Sequence, residues 1–271
     1  MTAHVLLTRR MLLKDMGRAG LAVMVLGTTA CAQDPTSNAT PTEEPTTPPS
    51  TAAAATSTPA ASPDTTAPGS TAGEGGHQWH RVNLGFVSAY ILYRGGEAAL
   101  VDTGVSGSES GIEAALGEIG LGWDSVSHLV VTHKHPDHQG SVEAVIAASD
   151  APWYAGAADL PEITASTAGT AVGDGDEVFG LQIIETPGHT PGHVSVLDPV
   201  SGILVTGDAL TGSDGSSVSG PNPGFSEDID LANATVAKLA GFDYEIALFG
   251  HGEPVLSGAS AMVAELAGSG G

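Results

Sequence analysis

Short apolar and β-branched runs recur along the second half of the chain, and each stops at or shortly before a histidine or an aspartate. The clearest runs lie at residues 128–132, 181–185, 204–207 and 246–249. Their length and composition are typical of buried β-strands. The pattern therefore predicts a sheet protein whose polar side chains gather where the strands end.

Helical spacing of apolar residues occurs in two segments between and after these runs. Residues 139–149 and 230–240 are predicted to be helices, and Ser226 or Asp228 is predicted to cap the second one. The apolar positions that define the predicted buried faces are Val142, Val145 and Ile146 in the first helix, and Leu231, Val236 and Leu239 in the second.

The first part of the chain differs in composition from the rest. Residues 43–76 consist largely of Thr, Ala, Pro, Ser and Gly and contain no large apolar side chain. Such a segment cannot bury enough surface to offset its ordering entropy, so residues 32–76 are predicted to be a disordered tether. Residues 77–271 are predicted to form one domain, because 195 residues suffice for a substantial core.

Residues 1–31 have the features of an export signal. The segment around Arg9 and Arg10 resembles the twin-arginine motif, and an apolar stretch of 12 residues follows. A membrane-spanning helix needs about 20 apolar residues, so a signal peptide is favoured. Two mature forms stay open. Residues 28–31 resemble a lipobox, which would anchor the protein by a lipid on Cys31 at the outer face of the cell membrane. Cleavage by ordinary signal peptidase would instead give a free secreted protein.

The chain is strongly acidic, with 8 Lys and Arg against 31 Asp and Glu and a formal net charge of −23. Only four of the basic residues lie beyond residue 32. Such a surface repels phosphate backbones, which argues against nucleic acid as a partner. The predicted partner is a small-molecule substrate. Contact with the membrane is predicted only through the possible N-terminal lipid anchor. The sequence leaves the oligomeric state open.

Histidine and aspartate residues with the spacing of metal ligands follow the run at 128–132. Four lie within six residues, and three more follow later predicted strands. The seven candidate ligands are His133, His135, Asp137, His138, His189, Asp208 and His251. Imidazole and carboxylate bind Zn²⁺ and leave positions for water, and the set suffices for two ions that share one carboxylate. Strand alternation past residue 132 predicts that the side chains of His133, His135 and Asp137 face one side.

The order and types of these residues resemble the metallo-β-lactamase-fold hydrolases, especially their glyoxalase II-like branch. Residues 100–104, Leu-Val-Asp-Thr-Gly, match the first motif of that family, and the resemblance covers about residues 79–266. It implies an α/β fold, an αβ/βα sandwich of two mixed β-sheets with outer helices. It also implies that Asp102 is a buried structural residue, which holds the metal loop and does not touch the metal.

The resemblance further implies two Zn²⁺ ions per chain and assigns their ligands. One ion would be bound by His133, His135 and His189, the other by Asp137, His138 and His251, and Asp208 would bridge them. The expected enzyme is a metal-dependent hydrolase in which metal-bound hydroxide attacks the carbonyl of a small thioester, ester or lactone. Asp137 is the expected catalytic residue, because its second oxygen can orient the hydroxide.

Two other activities stay open beside this one. The same ligands fit a mononuclear iron oxidoreductase resembling persulfide dioxygenases, and an amide hydrolase of the β-lactamase type is the second alternative. The basic segment that follows the bridging aspartate in the dioxygenases is missing here, and zinc β-lactamases lack the bridging aspartate. Glyoxalase II proper carries a long helical C-terminal extension and basic residues for glutathione, whereas 20 residues follow His251 and basic residues are scarce.

Three further features lie close to the candidate ligands in the sequence. His193, four residues after His189, is either a residue that supports a ligand by a hydrogen bond or an ordinary core or surface residue. Lys134 either binds an anionic substrate group or is simply solvated. Residues 212–224, rich in Gly and Ser, form either a mobile loop at the mouth of the site or a plain surface connection.

Overall fold

Two β-sheets packed face to face form the centre of the protein, and helices cover the outer face of each sheet. The computed structural model describes residues 75–269. The predicted export signal, and nearly all of the predicted tether, lie outside the described residues. Within them, the predicted αβ/βα sandwich is confirmed by two mixed sheets with helices on both sides.

The first sheet has six strands that lie side by side in chain order. They are β1 Gln78–Asn83, β2 Ser88–Arg94, β3 Glu97–Val101, β4 Val126–Val131, β5 Trp153–Gly156 and β6 Thr170–Val172. The first three pair antiparallel, and β3 to β6 pair parallel. Parallel neighbours need crossover connections, and the chain between these strands runs over the outer face of the sheet.

The second sheet has five strands in the order β13-β10-β9-β8-β7, and a separate hairpin projects beside it. The strands are β7 Glu177–Val178, β8 Leu181–Glu185, β9 Val194–Asp198, β10 Ile203–Gly207 and β13 Ile246–Phe249, and the hairpin pairs β11 Thr211–Gly212 with β12 Val218–Ser219. Only β10 and β13 pair parallel within this sheet.

Five α-helices accompany the sheets. They are α1 Glu109–Glu118, α2 Pro136–Gln139, α3 Val142–Ser149, α4 Ile229–Leu239 and α5 Ala259–Gly268, and two 3₁₀ turns lie at Trp123–Ser125 and Leu160–Glu162. Helices α1 and α3 pack on the first sheet, and α4 and α5 pack on the second. No helix within residues 75–269 is both long and apolar enough to cross a membrane.

The position of strand β4 explains why its sequence is a continuous apolar run. Leu129 and Val131 pack toward α1 and α3, whereas Val130 packs between the two sheets. A strand buried on both faces has no polar side, so the apolar residues do not alternate with polar ones. The four strands predicted from apolar runs are confirmed, with bounds that shift by at most two residues at either end.

The first predicted helix is wrong as a single element. Residues 139–149 are divided between the end of α2 and all of α3, with Gly140 and Ser141 between them. A side chain at Gly140 would meet the backbone of Pro136 and Ser106, so the chain packs there too closely for another residue. The predicted buried face, by contrast, is confirmed, since Val142, Val145 and Ile146 are buried.

Helix α4 is confirmed, and its cap is Asp228. The Asp228 side chain accepts a hydrogen bond from the backbone N–H of Leu231 at 3.0 Å, which satisfies a free donor of the first turn. The prediction that Leu231 faces the core is wrong, because its side chain is 43% exposed. The buried face instead runs through Ala232, Thr235, Val236 and Leu239.

Candidate metal centre

Three histidines from two loops bring their ring nitrogens together at one edge of the sandwich. Nε2 of His133 lies 3.1 Å from Nδ1 of His135, which lies 2.9 Å from Nε2 of His189. His133 and His135 follow the end of β4, and His189 lies on the glycine- and proline-rich loop between β8 and β9. The structure therefore brings together the three residues that the sequence assigned to the first ion.

A second group of candidate ligands lies beside the first. His138, on α2, and His251, after β13, both point Nε2 toward Oδ2 of Asp137, at 3.9 and 3.4 Å. Asp137, His138 and His251 thus form the second predicted set. Pro136 begins α2, so the strand periodicity ends there, and Asp137 lines the same cavity as His135.

Asp208 lies between the two groups, at the end of β10. Its Oδ1 is 3.3 Å from Nε2 of His138, and its Oδ2 is 3.4 Å from Nε2 of His189 and 3.3 Å from Nε2 of His251. One carboxylate therefore faces ligands of both groups, and its Oδ2 alone lies near one histidine of each. All seven residues predicted from the sequence as ligands lie within one cluster.

The donor atoms of this cluster fit a bound cation. Nε2 of His138 and Oδ1 of Asp208 are buried and have no hydrogen-bond partner among the described residues. Buried polar atoms without partners are costly, and an ion between them removes that cost. Nitrogen and carboxylate oxygen donors at such spacing are the set that Zn²⁺ prefers.

The charge states that the protein imposes differ among the candidate ligands. Burial lowers the pKa of His133 well below its usual value and lowers the pKa of His189 to about 4, so both imidazoles are neutral at pH 7. Burial alone would raise the pKa of Asp208, but nearby His138 and His251 outweigh it and hold that pKa well below its usual value. Neutral imidazole and ionised carboxylate are the forms that coordinate metals.

Two other candidate ligands are held in the protonated form. Hydrogen bonds with Asp137 and Asp208 raise the pKa of His251 to about 10. Burial alone would lower the pKa of His138, but Asp102 and Asp208 outweigh it and raise that pKa. Each of these rings would therefore release a proton when an ion binds.

The outer ring nitrogens are held by partners that direct the inner ones into the cluster. Nδ1–H of His251 donates to the carbonyl oxygen of Phe86 at 2.7 Å, and Nδ1–H of His138 donates to Oδ2 of Asp102 at 2.8 Å. A hydrogen bond on Nδ1 orients each ring, so Nε2 is the nitrogen that faces the cluster and would coordinate an ion.

Asp102 has the structural role that the sequence predicted for it. Its buried carboxylate accepts hydrogen bonds from the backbone N–H of Thr132 at 2.7 Å, from the hydroxyl of Thr132, and from His138. Asp102 has a φ of 64°, a left-handed conformation that Asp tolerates better than most residues. It joins the ends of β3 and β4 to α2 and belongs to neither group of ligands.

His193 contacts Asp208 through the backbone N–H of that residue. The N–H of Asp208 donates to Nε2 of His193 at 3.0 Å, and Nδ1–H of His193 donates to the hydroxyl of Thr186 at 2.7 Å. Gly207 has a φ of 53°, and a side chain there would come 2.7 Å from Nε2 of His193. His193 therefore positions Asp208, which decides between the two alternatives that the sequence left open.

Asp159 is a functional residue that the sequence analysis missed. Its fully buried carboxylate accepts hydrogen bonds from the backbone N–H of Lys134 at 3.0 Å and of Gly192 at 2.7 Å, and also from the hydroxyl of Thr190. Lys134 lies between His133 and His135, and Thr190 follows His189. One side chain thus ties together the two loops that carry the first group of ligands.

Lys134 does not point its charge into the cluster. Its ammonium group lies 2.7 Å from Glu162 and 3.0 Å from Glu227, and these hydrogen bonds raise its pKa. The alternative in which Lys134 binds an anionic substrate group is therefore not supported by its position.

An open cavity of about 490 Å³ lies over the cluster. His135, Asp137, His189, Asp208 and His251 form its base, and Phe86, Pro136, Thr211, Asn222 and Phe225 form the rest of its lining. Thr211 and Asn222 lie at either end of the glycine- and serine-rich segment, so that segment borders the site. It contains the short hairpin β11–β12. No signal in the sequence indicated Phe86 and Phe225, because each lies in a turn far from the ligands along the chain.

Comparison with known proteins assigns the chain to the family that its ligand residues resemble. The family model described as the metallo-beta-lactamase superfamily matches residues 82–251. A probable metallo-hydrolase, YflN of Bacillus subtilis, is 26% identical over 223 residues, which cover 65% of this chain and 84% of the relative. A hydroxyacylglutathione hydrolase of Cereibacter sphaeroides is 37% identical over 117 residues, 42% of this chain and 44% of the relative.

Solved structures confirm the fold at low sequence identity. A metallo-beta-lactamase family protein from Thermus thermophilus superposes with a TM-score of 0.54 at 24% identity, covering 68% of this chain and 74% of the other. The Rm3 metallo-beta-lactamase gives a TM-score of 0.56 at 17% identity, covering 70% and 90%.

Some of these relatives are matched over only part of their own length. The chain spans less than half the length of the hydroxyacylglutathione hydrolase and 66% of an uncharacterized protein, YobT of Bacillus subtilis, to which it is 28% identical. The family match and the hydrolase relatives confirm the predicted enzyme class, a metal-dependent hydrolase. With every predicted ligand gathered at the strand ends of an αβ/βα sandwich, the chain belongs to the metallo-beta-lactamase superfamily.

Proposed function

We propose that this protein is a dinuclear zinc hydrolase that cleaves the acyl bond of a small ester, thioester or lactone. The position of Asp208 carries the proposal. Its Oδ2 lies 3.4 Å from Nε2 of His189 in the first group and 3.3 Å from Nε2 of His251 in the second, and its Oδ1 lies 3.3 Å from Nε2 of His138 in the second. A carboxylate within reach of both groups is expected of a site for two ions.

The residues divide into two sets of donors with Asp208 common to both. His133, His135 and His189 would hold one ion, and Asp137, His138 and His251 would hold the other. Bound Zn²⁺ supplies Lewis acidity, which lowers the pKa of water toward about 7 and polarises a carbonyl oxygen.

Asp137 is the residue placed to orient a water molecule against the substrate. It lines the cavity, and the hydrogen bond with His251 holds its pKa below the usual value, so it is ionised at neutral pH. An ionised carboxylate accepts a hydrogen bond from water and so turns a lone pair of the water oxygen toward the carbonyl carbon.

The cavity favours attack by water over attack by a side chain. Among the described residues that line it, Thr211 carries the only hydroxyl, and there is no thiol. Covalent catalysis needs a nucleophile next to a general base. The relatives named hydroxyacylglutathione hydrolases support acyl transfer to water as the class of reaction.

Metal analysis followed by a substrate panel tests the proposal. The mature protein should retain close to two equivalents of zinc after dialysis against metal-free buffer, and it should hydrolyse at least one ester, thioester or lactone. One equivalent of iron with oxygen consumption would favour an oxidoreductase instead. Turnover of β-lactams alone would favour an amide hydrolase.

We further propose that the protein is exported by the twin-arginine route and is anchored through a lipid on Cys31. Arg9, Arg10 and the lipobox-like segment at residues 28–31 support this proposal. Replacing both arginines with lysine should trap the precursor in the cytoplasm, and Cys31→Ala should release the protein from the membrane fraction. A mature N-terminus at Gln33, with no effect of Cys31→Ala, would show a free secreted protein.

A further inference from the structure

Two exposed phenyl rings lie at the cavity over the candidate metal centre. Within the described part of the chain, five large apolar side chains are exposed, and Phe86 at 65% and Phe225 at 70% are the two aromatic ones. Both line the same cavity. Exposed aromatic rings are costly to solvate, and their placement at a concave site is typical of substrate binding.

Phe86 is fixed next to the second group of ligands. It lies in the turn between β1 and β2, where Leu84 N–H donates to the Val87 carbonyl oxygen at 3.0 Å. Its own carbonyl oxygen accepts the hydrogen bond from His251, and its ring stacks on the His251 imidazole with centroids 6.2 Å apart and planes inclined by 12°. The ring therefore keeps its place beside the candidate ligand His251.

Backbone hydrogen bonds hold Phe225 next to the first group of ligands. Its N–H donates to the carbonyl oxygen of Asn222 at 3.1 Å, and the next two N–H groups along the loop are also engaged. Ser226 lies 3.4 Å from Nδ1 of His189, and the N–H of Glu227 donates to the His189 carbonyl oxygen at 3.1 Å. Each phenyl residue is thus attached to a different half of the metal centre.

Neither lysine nor arginine lines the cavity among the described residues. The four basic residues among the described residues are each engaged elsewhere, and none lines the cavity. Lys134 binds Glu162 and Glu227, Arg81 binds Glu253, Lys238 binds Asp174, and Arg94 binds backbone carbonyl oxygens. A carboxylate on the substrate, remote from the reacting carbonyl, would be desolvated by the phenyl rings without a partner.

We infer that the substrate is uncharged and that its acyl group is apolar, with Phe86 and Phe225 forming the subsite for that group. The inference rests on the proposed hydrolase function and adds the substrate class. The reacting carbonyl lies over the ligands at the base of the cavity, and the acyl chain extends past the two rings. The cavity volume of about 490 Å³ suits a small acyl group and not a polymer.

A series of p-nitrophenyl esters tests the inference with the zinc-loaded mature protein. The leaving group is constant, and the acyl group grows from acetate through butyrate and hexanoate to octanoate. kcat/KM should rise with chain length, by up to about fourfold per methylene, since full burial of a methylene contributes about 0.8 kcal/mol. The mono-p-nitrophenyl ester of adipate, which has the chain length of hexanoate and a terminal carboxylate, should be at least about tenfold poorer.

Variants assign the effect to the two rings. Phe225→Ala and Phe86→Ala should each flatten the dependence on chain length, Phe225→Leu should keep part of it, and the zinc content should not change. Leu256→Ala is the matched control, because Leu256 is also an exposed apolar residue but does not line the cavity. Calorimetric binding of 2-octanone and 2-butanone, which cannot be hydrolysed, should show the same preference for the longer chain.

The outcomes separate the inference from the proposed function. Hydrolysis with no dependence on chain length, or adipate as good as hexanoate, overturns the inference and leaves the hydrolase function intact. Failure to hydrolyse every ester, thioester and lactone overturns the proposed function and this inference with it. A dependence on chain length that Phe225→Ala and Phe86→Ala leave unchanged assigns the apolar subsite to other residues and also overturns the inference.

Discussion

Asp159→Asn removes one charge from a buried side chain that joins the two loops of the first ligand group. The asparagine side chain has the same shape, but an NH₂ group, which donates hydrogen bonds, replaces one of the two carboxylate oxygens. The least costly orientation keeps the oxygen toward Lys134 N–H and the Thr190 hydroxyl, and directs the amide group at Gly192 N–H. One buried donor then faces another donor, which costs about 1–3 kcal/mol.

This cost should be measurable as lost stability and as weaker zinc binding. Because the two loops carry His133, His135 and His189, looser loops lower the affinity of the first group, by about 10- to 100-fold for a residue that supports metal ligands. Urea denaturation gives the stability, and competition with a chromophoric chelator gives the affinity for each equivalent of zinc. Only the affinity for one of the two equivalents should fall.

Asp198→Asn is the matched control for this change. Asp198 is also buried, but it accepts its hydrogen bonds from His77 and from the turn after β9, far along the sheet from the ligands. The control should lose stability and bind both equivalents of zinc as the wild type does. Unchanged zinc affinity in Asp159→Asn, or an equal loss in Asp198→Asn, would refute the reasoning.

Three further predictions concern other buried carboxylates. Asp208→Ala should lose one equivalent of zinc and at least about 10²-fold in rate, the scale of one preorganised electrostatic element, while circular dichroism shows an intact fold. Asp102→Ala should lower the free energy of unfolding by about 1–3 kcal/mol for each donor left unpaired, including His138, and should lower activity only as a consequence. Burial alone would raise the pKa of Asp198, but hydrogen bonds from His77 outweigh it and hold the pKa well below its usual value. Its contribution to stability is therefore full above the unfolded pKa of about 3.9 and declines as the pH falls below it, so acid denaturation should be less steep in Asp198→Asn.

The ligands could be predicted from the sequence because their chemistry is local. His133, His135 and His138 stand close together after an apolar strand, and few structural roles need so many imidazoles at once. Asp208 and His251 each follow a buried strand directly, so the sheet brings them to the same edge. The assignment of strands needed only the apolar runs, since strands buried on both faces contain few polar residues.

The features that the sequence missed depend on contacts between distant segments. Asp159 is an ordinary loop aspartate in the sequence, and its role requires Lys134 and Gly192 to meet in space. Phe225 lies 36 residues after His189, and only the folded loop brings them to one cavity. The wrong prediction for Leu231 has a different cause, because a helix of 11 residues with several small side chains has two plausible apolar faces.

The separation of the two ions is the measurement that tests the shared carboxylate most directly. X-ray absorption at the zinc edge of the fully loaded mature protein should show nitrogen and oxygen neighbours at about 2.0–2.2 Å and a zinc–zinc distance of about 3.5–4 Å. In Asp208→Ala the zinc–zinc signal should vanish. A wild-type spectrum without that signal at two equivalents of zinc, or the same signal in Asp208→Ala, would contradict the account.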